Sequence, residues 1–458
     1  MNKKTKKRFS LQQSVIYQTV KEGDIWAKLS MVIMGLANLK RKQFFKGLLF
    51  LFLEAAFIMY MVQTGVEAFK GMITLGTQTQ GWVFDEALGI DVLAAGDNSM
   101  LLLLFGVLCL FIIIAFCITW RANLKSALEV QKLEAEGKDI PKLRDDIHTY
   151  LDAKFYRTML TLPMLGVLSF TVLPLVYMIL VAFTNYDNTH QPPGNLFDWV
   201  GLDNFFTVLG SKGLISQTFW PVLGWTIIWA IFATVLNYIG GIMLAMLINR
   251  KGVKFKAFWR TCFVMSIAIP SFVSLLVMKT MLQPEGAVNV LLKELGWISE
   301  SIPFLTNATY ARITIIVINL WIGIPYTMLI TSGILMNIPA ELYEAASIDG
   351  ANARVMFTKI TMPYVIFVTT PYLIQQFIGN INNFNVIYLL SGGGPSTLDY
   401  YQAGKTDLLV TWLYKLTVNS KDYSYASTIG ILVFVISAVF SLVTYRRTSA
   451  YNNEEAFQ

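Results

Sequence analysis

Long hydrophobic runs, separated by short polar segments, recur along the whole chain. A helix of about 20 apolar residues crosses a hydrocarbon core of about 30 Å, and each of these runs is long enough to do so. The pattern predicts an all-α polytopic membrane protein with about eight transmembrane helices, at 44–62, 101–120, 159–183, 220–248, 259–282, 313–336, 364–390 and 426–445. The first span carries Glu54, whose charge is costly within a membrane, so we expect this side chain to face protein or water.

The polar segments divide the chain into five predicted parts. These are an N-terminal tail, a transmembrane hairpin, a charged linker, a membrane core of six spans and a C-terminal tail, at 1–43, 44–120, 121–158, 159–447 and 448–458. Loosely helical spacing of apolar residues in 15–39 predicts an amphipathic helix on the inner leaflet. The linker is expected to be helical and solvated, because its leucines stand among charges.

Composition and charge placement support this picture. The chain is 55% hydrophobic and only 14% charged, which excludes an ordinary soluble enzyme. Lysine and arginine concentrate in the N-terminal tail, in alternate loops and after the last span, at 1–43, 121–158, 249–260, 338–363 and 446–447. Positive loops stay in the cytoplasm, so we expect both termini there. The net charge of +7 belongs to this bias, and no basic run interleaved with aromatics indicates nucleic-acid binding.

The chain has few residues suited to catalysis or metal binding. Its three cysteines fall in predicted spans without C-x-x-C spacing, and its two histidines lie far apart, so neither a disulfide framework nor a metal site is expected. No cluster of titratable residues indicates a membrane-embedded enzyme. The phosphate-binding pattern G-x-x-x-x-G-K-[ST] is also absent from the sequence, so the chain is not expected to hydrolyse ATP.

Prolines occur well inside four of the six core spans, whereas Pro221 stands at the start of the span 220–248. Each removes a helical hydrogen bond, which neighbours or water must replace. We expect breaks that bend these helices around a cavity, although simple packing irregularity is the alternative, at Pro163, Pro174, Pro270, Pro325 and Pro371.

Polar stripes mark the sixth and seventh spans. Residues of each stripe recur at i, i+3, i+4 and i+7, so they share one helical face, and they are Asn319, Ile322, Gly323 and Tyr326, and Gln376, Gly379, Asn380 and Asn383. Amides donate and accept hydrogen bonds, as sugar hydroxyls require, and an aromatic ring packs against the apolar face of a sugar. The stripes therefore predict a site for an uncharged, hydroxyl-rich ligand, and interhelical hydrogen bonding is the alternative. Interhelical bonding is preferred for Gln375, Asn382 and Asn385.

A polar loop at 338–363 carries a spaced motif. Its residues predict a helix at 340–348, a turn at Asp349-Gly350 and a second short helix at 351–360. The small residues Ala345 and Ala346 would let another protein approach, and Glu344 offers it a charge. An ordinary solvated helical hairpin is the alternative.

The motif resembles the signature loop of permeases in binding-protein-dependent ABC importers. It reads Glu344-Ala345-Ala346, then Gly350, then Ile360-x-Met362-Pro363, with Met362 where the family usually has leucine. Five further segments resemble the larger permease subunit of maltose/maltodextrin importers, at 199–205, 268–272, 319–326, 380–384 and 390–395. The short loop at 184–219 resembles Gram-positive members, because Gram-negative members carry a folded domain there.

The resemblance implies a type I ABC importer permease fold in the cytoplasmic membrane. It implies that the eight stripe residues line a sugar site, with Gln376 and Gly379 differing from the family's residues. The docking loop for the ATPase would be formed by Glu344, Ala345, Ala346, Asp349 and Gly350. The implied partners are a second homologous permease, two ATPase subunits that use ATP, an extracellular sugar-binding lipoprotein, membrane lipids and a maltodextrin substrate.

Two alternatives to maltodextrin import remain open. The first is a permease for another oligosaccharide, such as a raffinose-type sugar. The second is an ion-coupled secondary transporter, which usually needs ionisable groups near the middle of the membrane. Only Glu54 meets that requirement here.

Overall fold

A computed structural model of the protein describes residues 14–85, 89–250 and 252–446. The first thirteen residues of the predicted N-terminal tail and the whole predicted C-terminal tail, 448–458, lie outside the described residues. The chain divides into two compact units, Met1–Trp199 and Val200–Gln458.

The first unit is mainly helical. A short antiparallel hairpin, which the sequence did not predict, pairs Gly81 with Ala94 at one end and Asp85 with Ile90 at the other. The elements are α1 Val15–Glu22, α2 Ile25–Leu29, α3 Leu36–Lys40, α4 Phe44–Tyr60, α5 Val66–Thr74, β1 Gly81–Asp85, β2 Ile90–Ala94, α6 Ser99–Ala135, α7 Leu143–Leu151, α8 Phe155–Val167 and α9 Leu173–Val181.

The second unit is helical throughout its described elements. Its helices are α10 Asp203–Leu209, α11 Leu214–Asn249, α12 Lys256–Ala268, α13 Ser271–Met281, α14 Ala287–Glu294, α15 Ala308–Met336, α16 Ala340–Ile348, α17 Ala353–Met356, α18 Met362–Ile381, α19 Phe384–Leu390, α20 Leu409–Lys415 and α21 Tyr423–Arg446. In the described part of the chain, short π-helical turns continue a helix at Met61–Gly65, Leu168–Val172, Phe357–Thr361 and Leu416–Ser420.

Within the described ranges, six helices are long and apolar enough to cross a membrane, or seven when α12 and α13 are taken as one bent span. Seven of the eight predicted spans correspond to these helices. The predicted span 364–390 is not among them, because α18 ends at Ile381 and its glutamines, asparagine and prolines make it less apolar. Asn382 and Asn383 then separate α18 from α19.

The proline predictions have mixed outcomes. Pro270 precedes α13, and the helix pair bends there by 85°. Pro174 follows a π-helical turn at the start of α9. The predicted breaks at Pro163, Pro325 and Pro371 are wrong, since α8, α15 and α18 continue through them. Each proline therefore costs its helix one backbone hydrogen bond without ending it.

Helix α6 continues 15 residues beyond the end of its predicted span, from 121 to Ala135, so the predicted linker 121–158 begins inside it. This extension is not solvated as predicted. Its residues Asn123, Leu124, Ser126, Ala127, Leu128 and Val130 are buried, because α1, α2 and α3 pack against them. The predicted amphipathic segment 15–39 thus forms three short helices, and its exposed side includes Ile25 and Val32.

An N-terminal clamp, defined here as Asp24, Gly35, Arg41, Asn123 and Glu134, joins these helices. The Arg41 guanidinium, 3% exposed, lies 2.7 Å from Asp24 Oδ2 and 2.6 Å from Glu134 Oε2. The Gly35 amide donates to Asn123 Oδ1 at 2.9 Å, with Gly35 at a φ of 87°. The clamp thus ties residues distant in sequence together through two ion pairs and one hydrogen bond.

Glu54 faces protein, which is one of the two environments that the sequence predicts for it. The Met34 amide donates to its Oε2 at 2.8 Å, so the carboxylate of the first span meets the chain just before α3.

In the loop before α6, the Asp97 carboxylate accepts hydrogen bonds from the amides of Thr77 and Gln78 at 2.7 and 3.0 Å. These backbone hydrogen bonds hold the pKa of Asp97 below its usual range.

Candidate functional site

Small residues bring α11 and α15 close together in the second unit. A Cβ on Gly323 of α15 would overlap the Asn237 side-chain amide of α11. A Cβ on Gly241 would lie 2.5 Å from the Thr327 Cβ. Glycine at these positions lets the two helices approach and lets the Asn237 side chain lie against the α15 backbone.

A hydrogen-bonded chain links α15 and α18 at the same level. Gln376 Nε2 donates to Tyr372 Oη at 2.8 Å, and that hydroxyl lies 3.1 Å from Thr327 Oγ1. A second contact links α18 to α11, where Asn380 Nδ2 donates to Thr234 Oγ1 at 3.0 Å. We call these residues the membrane polar cluster, and they are Thr234, Asn237, Thr327, Tyr372, Gln376 and Asn380.

The cavity at the membrane polar cluster is small and uncharged. It holds about 10 Å³, and none of the described residues that line it carries a charge. A water molecule needs roughly 10–15 Å³, so the space between these helices is about the size of one water. In this arrangement the polar side chains bond to one another, and a sugar would have to displace those bonds or bind at their outer edge.

Two buried amide atoms, one on α11 in the cavity lining and one on α15 outside that lining, have no protein partner among the described residues. They are Asn237 Oδ1 and Asn319 Nδ2, in side chains whose residues are 8% and 5% exposed. An unsatisfied buried polar atom costs about 1–3 kcal/mol. These atoms are therefore available to a water or to a hydroxylated ligand.

The predicted stripe on α15 is divided between the interior and the surface. Asn319 is buried, Gly323 touches Asn237, and Ile322 packs against the apolar group around Trp229. Tyr326 is 46% exposed, and its ring centroid lies 6.2 Å from that of Tyr372.

The predicted stripe on α18 is divided in the same way. Gln376 and Asn380 belong to the polar cluster, whereas Gly379 is exposed. The predicted shared helical face is wrong for Asn383, because α18 ends two residues earlier. Asn383 instead caps α19, accepting the Val386 amide at 3.2 Å, and its Nδ2 lies 3.5 Å from Asn380 Oδ1.

Sequence reasoning missed Thr234, Asn237, Thr327 and Tyr372. One signal was present: Asn237 is an amide in the middle of the long hydrophobic run of α11, shortly before Gly240 and Gly241. The three amides assigned to interhelical bonding, Gln375, Asn382 and Asn385, are exposed in this chain. Asn382 Nδ2 bonds the Ile378 carbonyl of its own helix.

The polar loop matches its predicted first half. Helix α16 spans Ala340–Ile348, and Gly350 has a φ of 79°. Its predicted second helix is wrong at both ends, since α17 begins at Ala353 and continues through a π-helical turn into α18. Asn352 starts this continuous helix by accepting the Val355 amide at 3.0 Å.

The residues predicted for docking lie on the open side of this loop. Glu344, Ala345, Asp349 and Gly350 are exposed and Ala346 is partly exposed. A Cβ on Gly350 would meet no atom within 4 Å. The neighbouring Ile348 is 87% exposed, which adds an apolar side chain that the sequence reasoning did not single out.

The opposite side of α16 packs onto the membrane helices. Tyr343 Oη lies 2.9 Å from Thr361 Oγ1 in the π-helical turn before α18. Tyr343 also packs against an apolar group that includes Tyr238 and Val365. Tyr238 of α11 lines the cavity of the polar cluster, and Thr361 leads directly into α18. The polar loop therefore contacts two of the helices that carry the cluster.

Comparisons with known proteins identify a family and relatives for this chain. Residues 237–448 match the family model described as binding-protein-dependent transport system inner membrane component. The chain is 35% identical over 430 residues to a galactooligosaccharides transport system permease protein of Bacillus subtilis, which covers 93% of this chain and 98% of the relative. It is 33% identical over 438 residues to a maltodextrin transport system permease protein of Streptococcus pneumoniae, covering 94% and 97%.

A solved structure shares the fold. It is a bacterial ABC transporter involved in the import of the acidic polysaccharide alginate, with a TM-score of 0.55 and 25% identity. The match covers 66% of this chain and 97% of that one.

Proposed function

Because the chain belongs to the family of binding-protein-dependent transport permeases, we propose that it imports neutral oligosaccharides, with maltodextrins as the first candidate. The chain is a multi-pass membrane protein and a sugar permease of an ABC importer, not an enzyme. The finer assignment concerns which sugar it carries, and how the described side chains take part.

The observation that carries the proposal is the uncharged membrane polar cluster. Its amides and hydroxyls suit sugar hydroxyls, and Tyr326 offers an exposed ring beside them. An acidic sugar needs cationic partners within the membrane, and none of the described residues lining this cavity is lysine or arginine. The cluster therefore favours a neutral ligand over a uronate polymer such as alginate.

Two sugar classes follow from the relatives. Maltodextrin is named for the permeases of Streptococcus pneumoniae and Bacillus subtilis, at 33% and 34% identity. Galactooligosaccharides are the second candidate, because the permease named for them is 35% identical over nearly the whole chain.

We propose that the sugar binds along the two stripes rather than inside the closed cavity. The contact residues would be Asn319, Ile322, Gly323, Tyr326, Gln376, Gly379, Asn380 and Asn383. Exposed Tyr326 and Gly379 would face a second, homologous permease, which completes the path. The amides that now bond to one another would exchange those bonds for sugar hydroxyls.

Transport would be driven from the polar loop. Two ATPase subunits using ATP would dock on this loop and on its counterpart in the second permease, with Glu344, Ala345, Ala346, Asp349, Gly350 and Ile348 facing them. Their closure would move α16, and Tyr343 would pass that movement to α18. An extracellular sugar-binding lipoprotein would deliver the sugar, with both termini of this chain in the cytoplasm.

The first test is uptake into proteoliposomes that hold this chain, its partner permease, the ATPase and the binding protein. We expect ATP-dependent uptake of labelled maltotetraose, and no uptake when this chain is omitted. Uptake of a galactooligosaccharide without maltotetraose would select the second candidate. Preferred uptake of an alginate oligosaccharide would reject the neutral-sugar proposal.

The second test concerns the loop. Gly350→Pro places proline at a φ of 79°, which its ring cannot adopt, so ATP hydrolysis should lose its coupling to uptake. Gly137→Pro is a matched control, because Gly137 also has positive φ and also donates to the residue three before it at 3.1 Å. Wild-type uptake in Gly350→Pro, or equal loss in both variants, would contradict the coupling role.

A further inference from the structure

A cavity of about 220 Å³ lies where the first membrane-spanning helix begins. Three lysines line it, Lys42 and Lys46 from the start of α4 and Lys142 from the start of α7, together with one acid, Asp146. Among the described residues, none of the three ammonium groups forms an ion pair. The cavity therefore gathers an excess of positive charge that the chain does not neutralise.

The walls of this cavity are fixed by buried hydrogen bonds. Gln43, 6% exposed, donates from Nε2 to the Pro141 carbonyl at 2.7 Å. Its Oε1 accepts Asn38 Nδ2 at 2.7 Å. These bonds hold the start of α7 beside the start of α4, so Lys142 stays close to two lysines about a hundred residues away.

The Gln43 side chain does not cap α4, because both its polar atoms are used in those bonds. Among the described side chains, none accepts a hydrogen bond from the first amides of this helix, which lie beside the same lysines. A helix start with free amides favours a negatively charged group such as phosphate. The lysines and the helix start therefore both favour a negatively charged group such as phosphate.

The rim of the cavity is apolar. Phe44, Phe45 and Leu143 line it and are 61%, 58% and 43% exposed. Phe44 is also the first residue of the first membrane-spanning helix. Aromatic side chains at a span boundary lie at the level of lipid headgroups, and nearby lysines attract anionic lipids. A free phosphate would gain nothing from this rim, whereas a phospholipid would place its acyl chains against it.

We propose that this cavity binds the headgroup of an anionic phospholipid. The phosphate lies among Lys42, Lys46 and Lys142, and the acyl chains run along Phe44 and Phe45. Asp146 opposes the headgroup and limits its affinity. The bound lipid joins the first span to the start of α7.

The test measures lipids retained by the purified full chain after delipidation from an equimolar mixture of phosphatidylglycerol and phosphatidylcholine, using native mass spectrometry. We expect the wild type to retain phosphatidylglycerol preferentially. Replacing Lys42, Lys46 and Lys142 by glutamine should lower that preference by about tenfold, because each lysine contributes to anionic-lipid attraction. Replacing the same three by arginine should preserve it, and Asp146→Asn should raise it.

A matched control removes three positive charges elsewhere, by glutamine at Lys125, Lys132 and Lys138. This control should keep the wild-type preference. An unchanged preference in the cavity variant, or an equal loss in the control, would overturn the proposal. Displacement of the lipid by an equal concentration of inorganic phosphate would also overturn it, and would identify a phosphate site. Thermal unfolding of each variant establishes that the lipid measurement is made on folded protein.

Discussion

Arg41 in the N-terminal clamp meets two carboxylates, whereas the amides of the membrane polar cluster meet only neutral groups. Both sets of residues come from segments distant in sequence, and each has buried members, Arg41 and Asn123 in the clamp and Asn237 and Thr327 in the cluster. The clamp leaves one buried amide oxygen nearby without a partner, on Asn38. Among the described residues, the cluster leaves one buried amide oxygen without a partner, on Asn237, which lines the cavity, and the buried amide nitrogen of Asn319 on α15 also has none.

The difference separates a fixed contact from an exchangeable one. A buried guanidinium that loses its carboxylates is left uncompensated, so the clamp resists opening. Neutral interhelical hydrogen bonds within membranes contribute roughly 1 kcal/mol or less each, so a sugar hydroxyl can replace them at little cost. The clamp therefore suits assembly of the first unit, and the cluster suits a ligand that enters and leaves.

The largest expected effect is on the clamp. Arg41→Leu should lower the local free energy of opening by about 2–3 kcal/mol, because two hydrogen-bonded carboxylates lose their partner while remaining partly in water. Hydrogen exchange across 24–41 should accelerate by more than tenfold. Lys125→Leu, which removes an exposed ion pair with Glu129, should change the local free energy of opening by less than about 0.5 kcal/mol. Equal acceleration of hydrogen exchange in both variants would contradict a special role for the clamp.

The next effect concerns the contact between α11 and α15. Gly323→Ala should destabilise the purified chain by about 1–2 kcal/mol, because its Cβ would overlap Asn237. Adding Asn237→Ala should restore stability, which is a non-additive outcome expected of direct neighbours. The temperature of thermal unfolding measures both variants. A double variant no more stable than Gly323→Ala alone would place the strain elsewhere.

The smallest expected change in stability comes from replacing the amides of α18 and its following cap, and their replacement should instead lower transport. Replacing Asn380 and Asn383 by alanine should lower oligosaccharide uptake about fivefold, equivalent to about 1 kcal/mol, with little change in assembly. Alanine at Asn382 and Asn385 is the matched control, because these amides are exposed and lie outside the cluster. Wild-type uptake of every tested sugar in the first variant would show that the cluster is only structural.

Several features were accessible from the sequence because they depend on neighbours along the chain. Helix α16 and the turn at Gly350 follow from local residue preferences, and both match the prediction. The break after α18 was missed, since hydrophobic residues continue on both sides of Asn382 and Asn383. The continuations through Pro325 and Pro371 were also missed, since local hydrogen-bond loss does not by itself end a helix that its neighbours support.

The sequence by itself determined that this is a helical membrane protein, where most of its spans lie and which loop carries the family motif. Those properties depend on the cost of placing polar groups in lipid and on local turn preferences. Tertiary structure alone decided that Asn380 meets Thr234, 146 positions away, and that Arg41 meets Glu134, 93 positions away. Such partners depend on which helix faces pack together, and hydrophobicity along one helix does not specify the face of another.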